Sequence, residues 1–208
     1  MIKVVVFDLG NVILPFDLYP VINTLSTRSS LKDTMLSKEV FKTYFWTGKG
    51  SYLAYETGTI STEEFFNNLK REFALEIGFE EFRDVWISIF REDKEVSGIV
   101  RELKAKGVRL FVLSNTNEMH YDYIDCAFPV VRLFDEHILS HQVKTRKPER
   151  AIYDEIFKRT DALPGEVLFI DDMEKNVAAA AEMGIRTHHF KGAADLRKFL
   201  SAEGLPVC

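Results

Sequence analysis

Three short runs of β-branched and other apolar residues constrain the fold of this chain more than any other feature of its sequence. They cover residues 2–7, 108–113 and 167–170, and each is too short for a helix and apolar on both faces. Strands of this kind are typical of a parallel sheet whose two faces are both covered. The sequence also predicts shorter strands at residues 137–139 and 186–190.

Helical patterns alternate with these strands. Apolar residues recur at helical spacing from Val96 to Leu103, and Gly107 then predicts the end of that helix. Further helices are predicted at residues 150–159, 174–183 and 194–202. Strands that alternate with helices indicate right-handed crossovers, so we expect an α/β fold with a doubly wound parallel sheet. Ligands of such folds bind beyond the carboxyl ends of the strands.

The stretch from residue 16 to residue 93 has a different pattern. It is rich in Phe, Tyr, Leu and Glu at helical spacing and contains no convincing strand. Ser61 and Glu64 have the spacing of a capping box that begins a helix. We therefore expect an α-helical cap subdomain at residues 16–93, inserted into a core domain made of residues 1–15 and 94–208.

Composition and charge exclude several classes of protein. The 208 residues carry a formal net charge of -5, and the basic residues are scattered, which argues against a nucleic-acid partner. No apolar run approaches the length of a membrane span, and the first residues lack the pattern of a secretory signal. Cys126 and Cys208 are too few for a disulfide framework. These features predict a cytoplasmic protein without a membrane partner. They leave its oligomeric state, monomer or homodimer, open.

Polar residues follow the three strong strands at their carboxyl ends. Asp8 follows the first, Ser114 the second, and the pair Asp171 and Asp172 the third. Carboxylates that converge repel one another unless a cation joins them, and an all-oxygen set suits Mg²⁺. The sequence therefore predicts a magnesium site at this edge of the sheet.

Two further features favour phosphate chemistry at the same place. Lys147, in a loop, could balance the carboxylates and hold an anionic substrate. The Gly10-Asn11 loop offers backbone N–H groups that could surround phosphate oxygens. A carboxylate, a metal, a lysine and such a loop together predict phosphoryl transfer through an aspartyl-phosphate, from a small-molecule phosphate ester.

Four short segments follow one another along the chain. They are Asp8-Leu9-Gly10-Asn11-Val12, Leu113-Ser114-Asn115-Thr116-Asn117, Arg146-Lys147-Pro148, and Phe169-Ile170-Asp171-Asp172 with Asn176. Their order and their positions after strands resemble the four motifs of the haloacid dehalogenase (HAD) superfamily of hydrolases. The resemblance implies a Rossmann-like core with a helical cap, and Mg²⁺-dependent phosphatase activity.

The resemblance also implies a role for each matching residue. Asp8 would be the nucleophile, and Lys147 would neutralise the charge that the nucleophile shares with the phosphate. The implied metal ligands are Asp8, the main-chain carbonyl of Gly10, Asp171 and Asp172. The implied phosphate-binding residues are Leu9, Gly10, Ser114, Asn115 and Lys147. Asn176 would brace the acidic loop from the next helix turn.

Gly10 departs from the pattern of most phosphatases in this superfamily. They carry a second Asp at this position, which protonates the leaving group and then activates water. Its loss would raise the barrier by about 3–5 kcal/mol, since such help contributes roughly 10²–10⁴ in rate. The sequence resembles a subgroup that reads Asp-Leu-Gly-Asn-Val and includes bacterial α-D-glucose-1-phosphate phosphatase. A sugar 1-phosphate has a better leaving group than an alkyl phosphate, so we expect that class of substrate.

Two sets of alternatives follow from Gly10. The acid could come from another residue, and the candidates by position are Asp17, Tyr52, Glu56 and His120. The chain could instead be a binding or regulatory protein that keeps the fold with weak or no turnover. A 2-haloacid dehalogenase is a further alternative, against which the retained acidic residues argue.

Overall fold

The computed structural model describes residues 1–30, 34–47 and 50–207, without the side chains of residues 34–37 and 46–47. The strands are β1 (Val4–Phe7), β2 (Arg109–Ser114), β3 (Glu136–Leu139), β4 (Val167–Asp171) and β5 (Arg186–His189). The helices are α1 (Tyr19–Thr27), α2 (Thr34–Thr47), α3 (Gly50–Glu56), α4 (Thr62–Glu72), α5 (Phe79–Ile87), α6 (Lys94–Ala105), α7 (Glu118–Ala127), α8 (Ser140–Val143), α9 (Arg150–Lys158), α10 (Glu174–Glu182) and α11 (Ala193–Ala202). Short 3₁₀ helices cover Pro129–Leu133 and Pro164–Glu166.

The five strands form one parallel sheet in the order β3-β2-β1-β4-β5. The central strand is β1, in which Val6 pairs with Phe111 of β2 and with Phe169 of β4. Each of the five predicted strands is present, with ends that differ from the prediction by two residues or fewer. The predicted α/β fold with a doubly wound parallel sheet is therefore confirmed.

Both faces of the sheet are buried, which explains why its strands are apolar throughout. Val5 and Phe7 face one apolar cluster, to which α6 and α11 contribute. Val4 and Val6 face the opposite cluster, to which α9 and α10 contribute. Because successive side chains of a strand point to opposite faces, a strand between two helical layers needs apolar residues at every position.

Helices α1 to α5 pack around a third apolar cluster of their own, rich in aromatic rings. Its central ring, that of Trp86, stacks on Phe82 with 5.4 Å between centroids. The predicted capping box is confirmed, since Glu64 N donates to Ser61 Oγ at 3.1 Å and Ser61 N donates to Glu64 Oε2 at 2.9 Å. The boundaries of the cap at residues 16 and 93 stay a prediction.

The chain passes between the sheet and these helices twice, through two neighbouring segments. Arg91 N donates to Pro15 O at 2.9 Å, and Asp17 N donates to Ile89 O at 3.1 Å. The two segments that connect helices α1 to α5, called the cap below, to the sheet are therefore hydrogen-bonded to each other, and the first of them follows β1.

Gly58 provides a further contact between the cap and the sheet domain. The carbonyl oxygen of Gly58 accepts a hydrogen bond from Lys144 Nζ. A Cβ atom added to Gly58 would overlap the carbonyl oxygen of His141. We expect Gly58→Ala to destabilise the protein, because the methyl group would push the two parts of the chain apart.

Gly204→Ala is the matched control, because Gly204 also has a positive φ but has open space around its Cβ position. The left-handed backbone alone should cost Gly204→Ala roughly 1–2 kcal/mol. Gly58→Ala should lose about 1–3 kcal/mol more, as overpacked substitutions do. Urea unfolding of both variants measures the difference, and equal losses would contradict the close approach of Gly58.

Within the described part of the chain, no helix combines the length and the apolar character that crossing a bilayer requires. Cys126 is an exposed free cysteine, and Cys208 lies outside the described residues.

Candidate active site

Parallel strands bring the predicted acidic residues together at one edge of the sheet. Asp8 follows β1, and Asp171 ends the neighbouring strand β4, with Asp172 next to it. One carboxylate oxygen of each lies within 4.8 Å of the others, the spacing that a shared metal ion needs. The carboxylates therefore converge as the sequence predicts.

Lys147 lies inside this acidic cluster. Its side chain is only 1% exposed, and Nζ lies 2.9 Å from Asp8 Oδ1 and 2.6 Å from Asp171 Oδ2. Asn115 holds the lysine backbone through two hydrogen bonds, since Lys147 N donates to Asn115 Oδ1 at 2.8 Å and Asn115 Nδ2 donates to Lys147 O at 3.0 Å. The lysine is thus buried and fixed in position, and it neutralises part of the carboxylate charge.

Asp171 and Asp172 have different environments. Asn176 Nδ2 donates to both carboxylate oxygens of Asp171, at 2.9 and 3.0 Å, and Met173 N donates to Oδ1 at 2.8 Å. The Asp172 side chain is half-buried and interacts with the Asn11 side chain. The Asp172 carboxylate therefore accepts fewer hydrogen bonds than the Asp171 carboxylate.

Sequence analysis missed a second support for this loop. His189 Nε2 lies 3.0 Å from the carbonyl oxygen of Asp172 and can donate to it. The neighbouring His188 lies instead against Phe199 and Asp195. The two histidines of edge strand β5 thus face different groups, as strand alternation requires.

The electrostatics of the cluster favour a cation. Burial raises the pKa of Asp8 to about 7, with Lys147 opposing this rise and Asp171 adding to it. Burial and the Asp171 charge likewise raise the pKa of Asp172. Because the ionised forms of both carboxyls are destabilised here, a divalent cation between them would restore their charged forms. This oxygen donor set fits Mg²⁺.

A cavity of about 90 Å³ lies between the carboxyl ends of β1 and β2 and the cap. Its lining includes Leu9, Gly10, Ser114 and Asn115 from the sheet domain and Phe16, Tyr52, Glu56 and Phe90 from the chain between residues 16 and 93. Ser114 is buried at the end of β2, beside β1. A larger cavity of about 320 Å³ elsewhere is lined by residues that include Gly58, Glu118 and Lys144, and by none of the predicted site residues.

Phe16 occupies the space beside Gly10. A Cβ added to Gly10 would lie 2.9 Å from Phe16 Cε1, closer than real side chains approach. The Phe16 ring packs against Phe90, with 6.1 Å between centroids. An aspartate at position 10 would therefore displace Phe16, and no pattern in the sequence signals this contact.

The structure argues against two of the four candidates for the missing acid. His120 Nε2 donates to Trp86 O and Nδ1 accepts from Asn117 Nδ2, both at 3.0 Å, and burial lowers the pKa of His120 to about 3. His120 is thus neutral with both ring nitrogens occupied. Asp17 is exposed and accepts a hydrogen bond from Tyr19 N at 2.9 Å. Tyr52 and Glu56 remain as candidates.

Comparisons with known proteins identify the family of this chain. Residues 2–184 match the family described as haloacid dehalogenase-like hydrolase. D-ribitol-5-phosphate phosphatase from Bacteroides thetaiotaomicron is 29% identical over 97% of this chain and 98% of that protein. A sesquiterpene phosphatase from Aspergillus oryzae is 28% identical over 88% of this chain and 87% of that protein.

Solved structures show the same similarity. A HAD family enzyme from Bacteroides thetaiotaomicron, in complex with magnesium and inorganic phosphate, superimposes with a TM-score of 0.78 at 26% identity. The match covers 92% of this chain and 95% of that one. The resemblance that the four sequence motifs indicate is confirmed over most of the chain, and the protein belongs to the haloacid dehalogenase-like hydrolases.

Proposed function

We propose that this protein is a Mg²⁺-dependent phosphomonoester hydrolase that acts on a small sugar or polyol phosphate through an aspartyl-phosphate on Asp8. The observation that carries the proposal is the position of Asp8. Its carboxylate lies 2.9 Å from Lys147 Nζ and close to two further carboxylates, and the two residues after it, Leu9 and Gly10, line the cavity. The named phosphatases among the relatives, and the magnesium and phosphate in a similar structure, support the same activity.

In this proposal each residue of the site has its own role in the reaction. Asp8 attacks phosphorus, the ester oxygen leaves, and water then releases phosphate from Asp8. Lys147 balances the charge that Asp8 and the phosphoryl oxygens share, while Ser114 and the backbone amides of Leu9, Gly10 and Asn115 bind those oxygens.

The metal would be held by Asp8, Asp172 and the main-chain carbonyl of Gly10, and it supplies charge stabilisation and a template for the phosphate. Asp171 would mainly hold Lys147 in position, because its carboxylate oxygens already accept hydrogen bonds from Lys147, Asn176 and the Met173 amide. Asn176 in turn fixes the Asp171 carboxylate.

The cavity supports a small and polar substrate. Its volume of about 90 Å³ is below the roughly 300–1,000 Å³ of pockets that hold drug-sized ligands, which favours a small substrate. Tyr52 and Glu56 add polar groups on the cap side, which suit the hydroxyl groups of a sugar or polyol. Within this class we propose a preference for sugar 1-phosphates, because their leaving group is a better one than an ordinary alkoxide.

We expect a screen of phosphate esters with Mg²⁺ to rank substrates by the acidity of the leaving group. α-Glucose 1-phosphate should have a kcat/KM at least about tenfold above that of glycerol phosphate, a barrier difference of about 1.4 kcal/mol. Ribitol 5-phosphate tests the polyol alternative at matched concentration. Equal rates for glucose 1-phosphate and glycerol phosphate would contradict the preference for 1-phosphates, and no turnover of any ester would contradict the phosphatase.

A binding protein without turnover is the second candidate, and the Phe16 ring in place of an acid favours it. The two candidates differ in one result of the same screen. The binding protein would bind phosphate with Mg²⁺ and release no product from p-nitrophenyl phosphate, whereas the hydrolase releases product and loses this activity when the metal is chelated.

A further inference from the structure

Glu56 is a buried carboxyl group on the cap side of the active-site cavity. It is the last residue of α3, its side chain is 8% exposed, and it lines the same cavity as Gly10 and Ser114. Its Oε2 lies 2.8 Å from Arg146 Nη1, yet the direction of approach gives Oε2 no hydrogen bond from any described residue. A buried oxygen in this state can accept or donate one further hydrogen bond within the cavity.

The side of the cavity on which Glu56 lies is the side where the leaving group departs. In phosphoryl transfer the attacking and leaving oxygens lie on opposite sides of phosphorus. Asp8 approaches from the sheet, so the ester oxygen faces the cap. A cap carboxyl that lines the same cavity lies on the side of that oxygen, whereas Gly10 has no side chain there.

Groups from several elements of the fold act on the pKa of Glu56. Burial raises its pKa, whereas the charges of Arg146, Lys147 and Lys175 and a hydrogen bond from Tyr52 oppose the rise. Burial and the Glu56 charge also raise the pKa of the Tyr52 hydroxyl, which keeps its proton. Burial thus favours the protonated form of the Glu56 carboxyl and the nearby cations favour its ionised form, the two states that a proton donor and acceptor must visit.

We propose that Glu56 is the proton donor and acceptor that Gly10 cannot provide, acting on the phosphatase reaction proposed above. As the bond between phosphorus and the ester oxygen breaks, the electron pair stays on that oxygen, which takes the proton of the Glu56 carboxyl. The Glu56 carboxylate then takes a proton from water while the water oxygen bonds to phosphorus. The bond to Asp8 breaks, inorganic phosphate leaves, and both carboxyls return to their starting states.

Glu56→Gln tests this role, because it keeps the shape and removes the proton transfer. We expect kcat with glycerol phosphate to fall by roughly 10²–10⁴, the usual contribution of such a group. With p-nitrophenyl phosphate, whose leaving group needs no proton, Glu56→Gln should still release one equivalent of nitrophenol in a rapid burst. The following steady state should be slow, because water attack on the phosphoenzyme lacks its base.

Two controls separate this role from a structural one. Glu63→Gln changes an exposed glutamate of α4 and should leave both activities unchanged. Arg146→Met removes the ion-pair partner of Glu56. If Glu56 only joined the cap to the sheet domain through this ion pair, Glu56→Gln and Arg146→Met would lose the same activity on every substrate.

The outcomes are distinct. A burst with Glu56→Gln, together with a steeper dependence on leaving-group acidity than in the wild type, supports the proposal. Wild-type rates in Glu56→Gln, or an equal loss on all esters without a burst, would overturn the role of Glu56 and leave the phosphatase intact. A wild-type protein that hydrolyses no ester would overturn both.

Discussion

Replacing Asp8 with asparagine is expected to lower phosphatase turnover at least about 10⁴-fold, as the loss of a nucleophile does in other hydrolases. The amide has nearly the same shape, but it cannot form the aspartyl-phosphate. Hydrolysis of p-nitrophenyl phosphate with saturating Mg²⁺ measures the effect. Asp17→Asn is the matched control, since Asp17 is exposed and bonded to its own turn, and it should keep wild-type activity.

The Asp8→Asn protein should nevertheless be as stable as the wild type or more so when no Mg²⁺ is present. The pKa of Asp8 is raised from 3.8 to about 7, chiefly by burial, so its neutral form favours folding and its ionised form opposes it. The stability that this group contributes is complete below about pH 4 and is lost as the pH rises through about 7. Urea unfolding at about pH 8 without metal should show the advantage of the variant. A variant that is both inactive and unfolded would not support the proposed role of Asp8.

The second large effect is expected for Lys147→Met. The methionine would leave two buried carboxylates without their ammonium partner, and breaking a buried ion pair in this way costs about 3–5 kcal/mol. Activity should be lost together with stability, because Lys147 contacts both Asp8 and Asp171. Added Mg²⁺ should recover part of the stability, since the cation would balance the same carboxylates.

Thermal unfolding of Lys147→Met with and without Mg²⁺ measures this effect. Lys158→Met is the control, because Lys158 is an exposed lysine paired with Glu155, and such pairs contribute about 1 kcal/mol or less. We expect a larger Mg²⁺-dependent shift in Tm for Lys147→Met than for the wild type. Equal shifts would contradict the view that the lysine and the metal neutralise the same charges.

The sheet and its acidic edge could be predicted because each depends on local patterns. Val4 to Phe7 are apolar at every position, a pattern typical of a strand between two helical layers. Asp8 follows this strand directly. Since parallel strands end at the same edge, the convergence of Asp8 with Asp171 needs no knowledge of other contacts. The capping box at Ser61 was equally visible, because its two partners are three residues apart.

The cap side of the site could not be predicted for the opposite reason. Arg146 and Glu56 are 90 positions apart in the numbering, and nothing in either local pattern shows that they meet. The Phe16 ring beside Gly10 depends on how the chain enters the cap. His120 looked like a proton donor because it follows β2 closely, but burial and its two partners keep it neutral.

The central claim, an aspartyl-phosphate on Asp8, is tested most directly by trapping that group. The wild-type protein is mixed with a hydrolysed substrate and Mg²⁺, quenched in acid during turnover, and reduced with borohydride, which converts an acyl phosphate of aspartate to homoserine. Mass spectrometry of the peptide that contains residue 8 is expected to show homoserine at that position only when substrate and Mg²⁺ are both present. An unmodified Asp8 in a protein that is hydrolysing substrate, or homoserine at another position, would contradict the account.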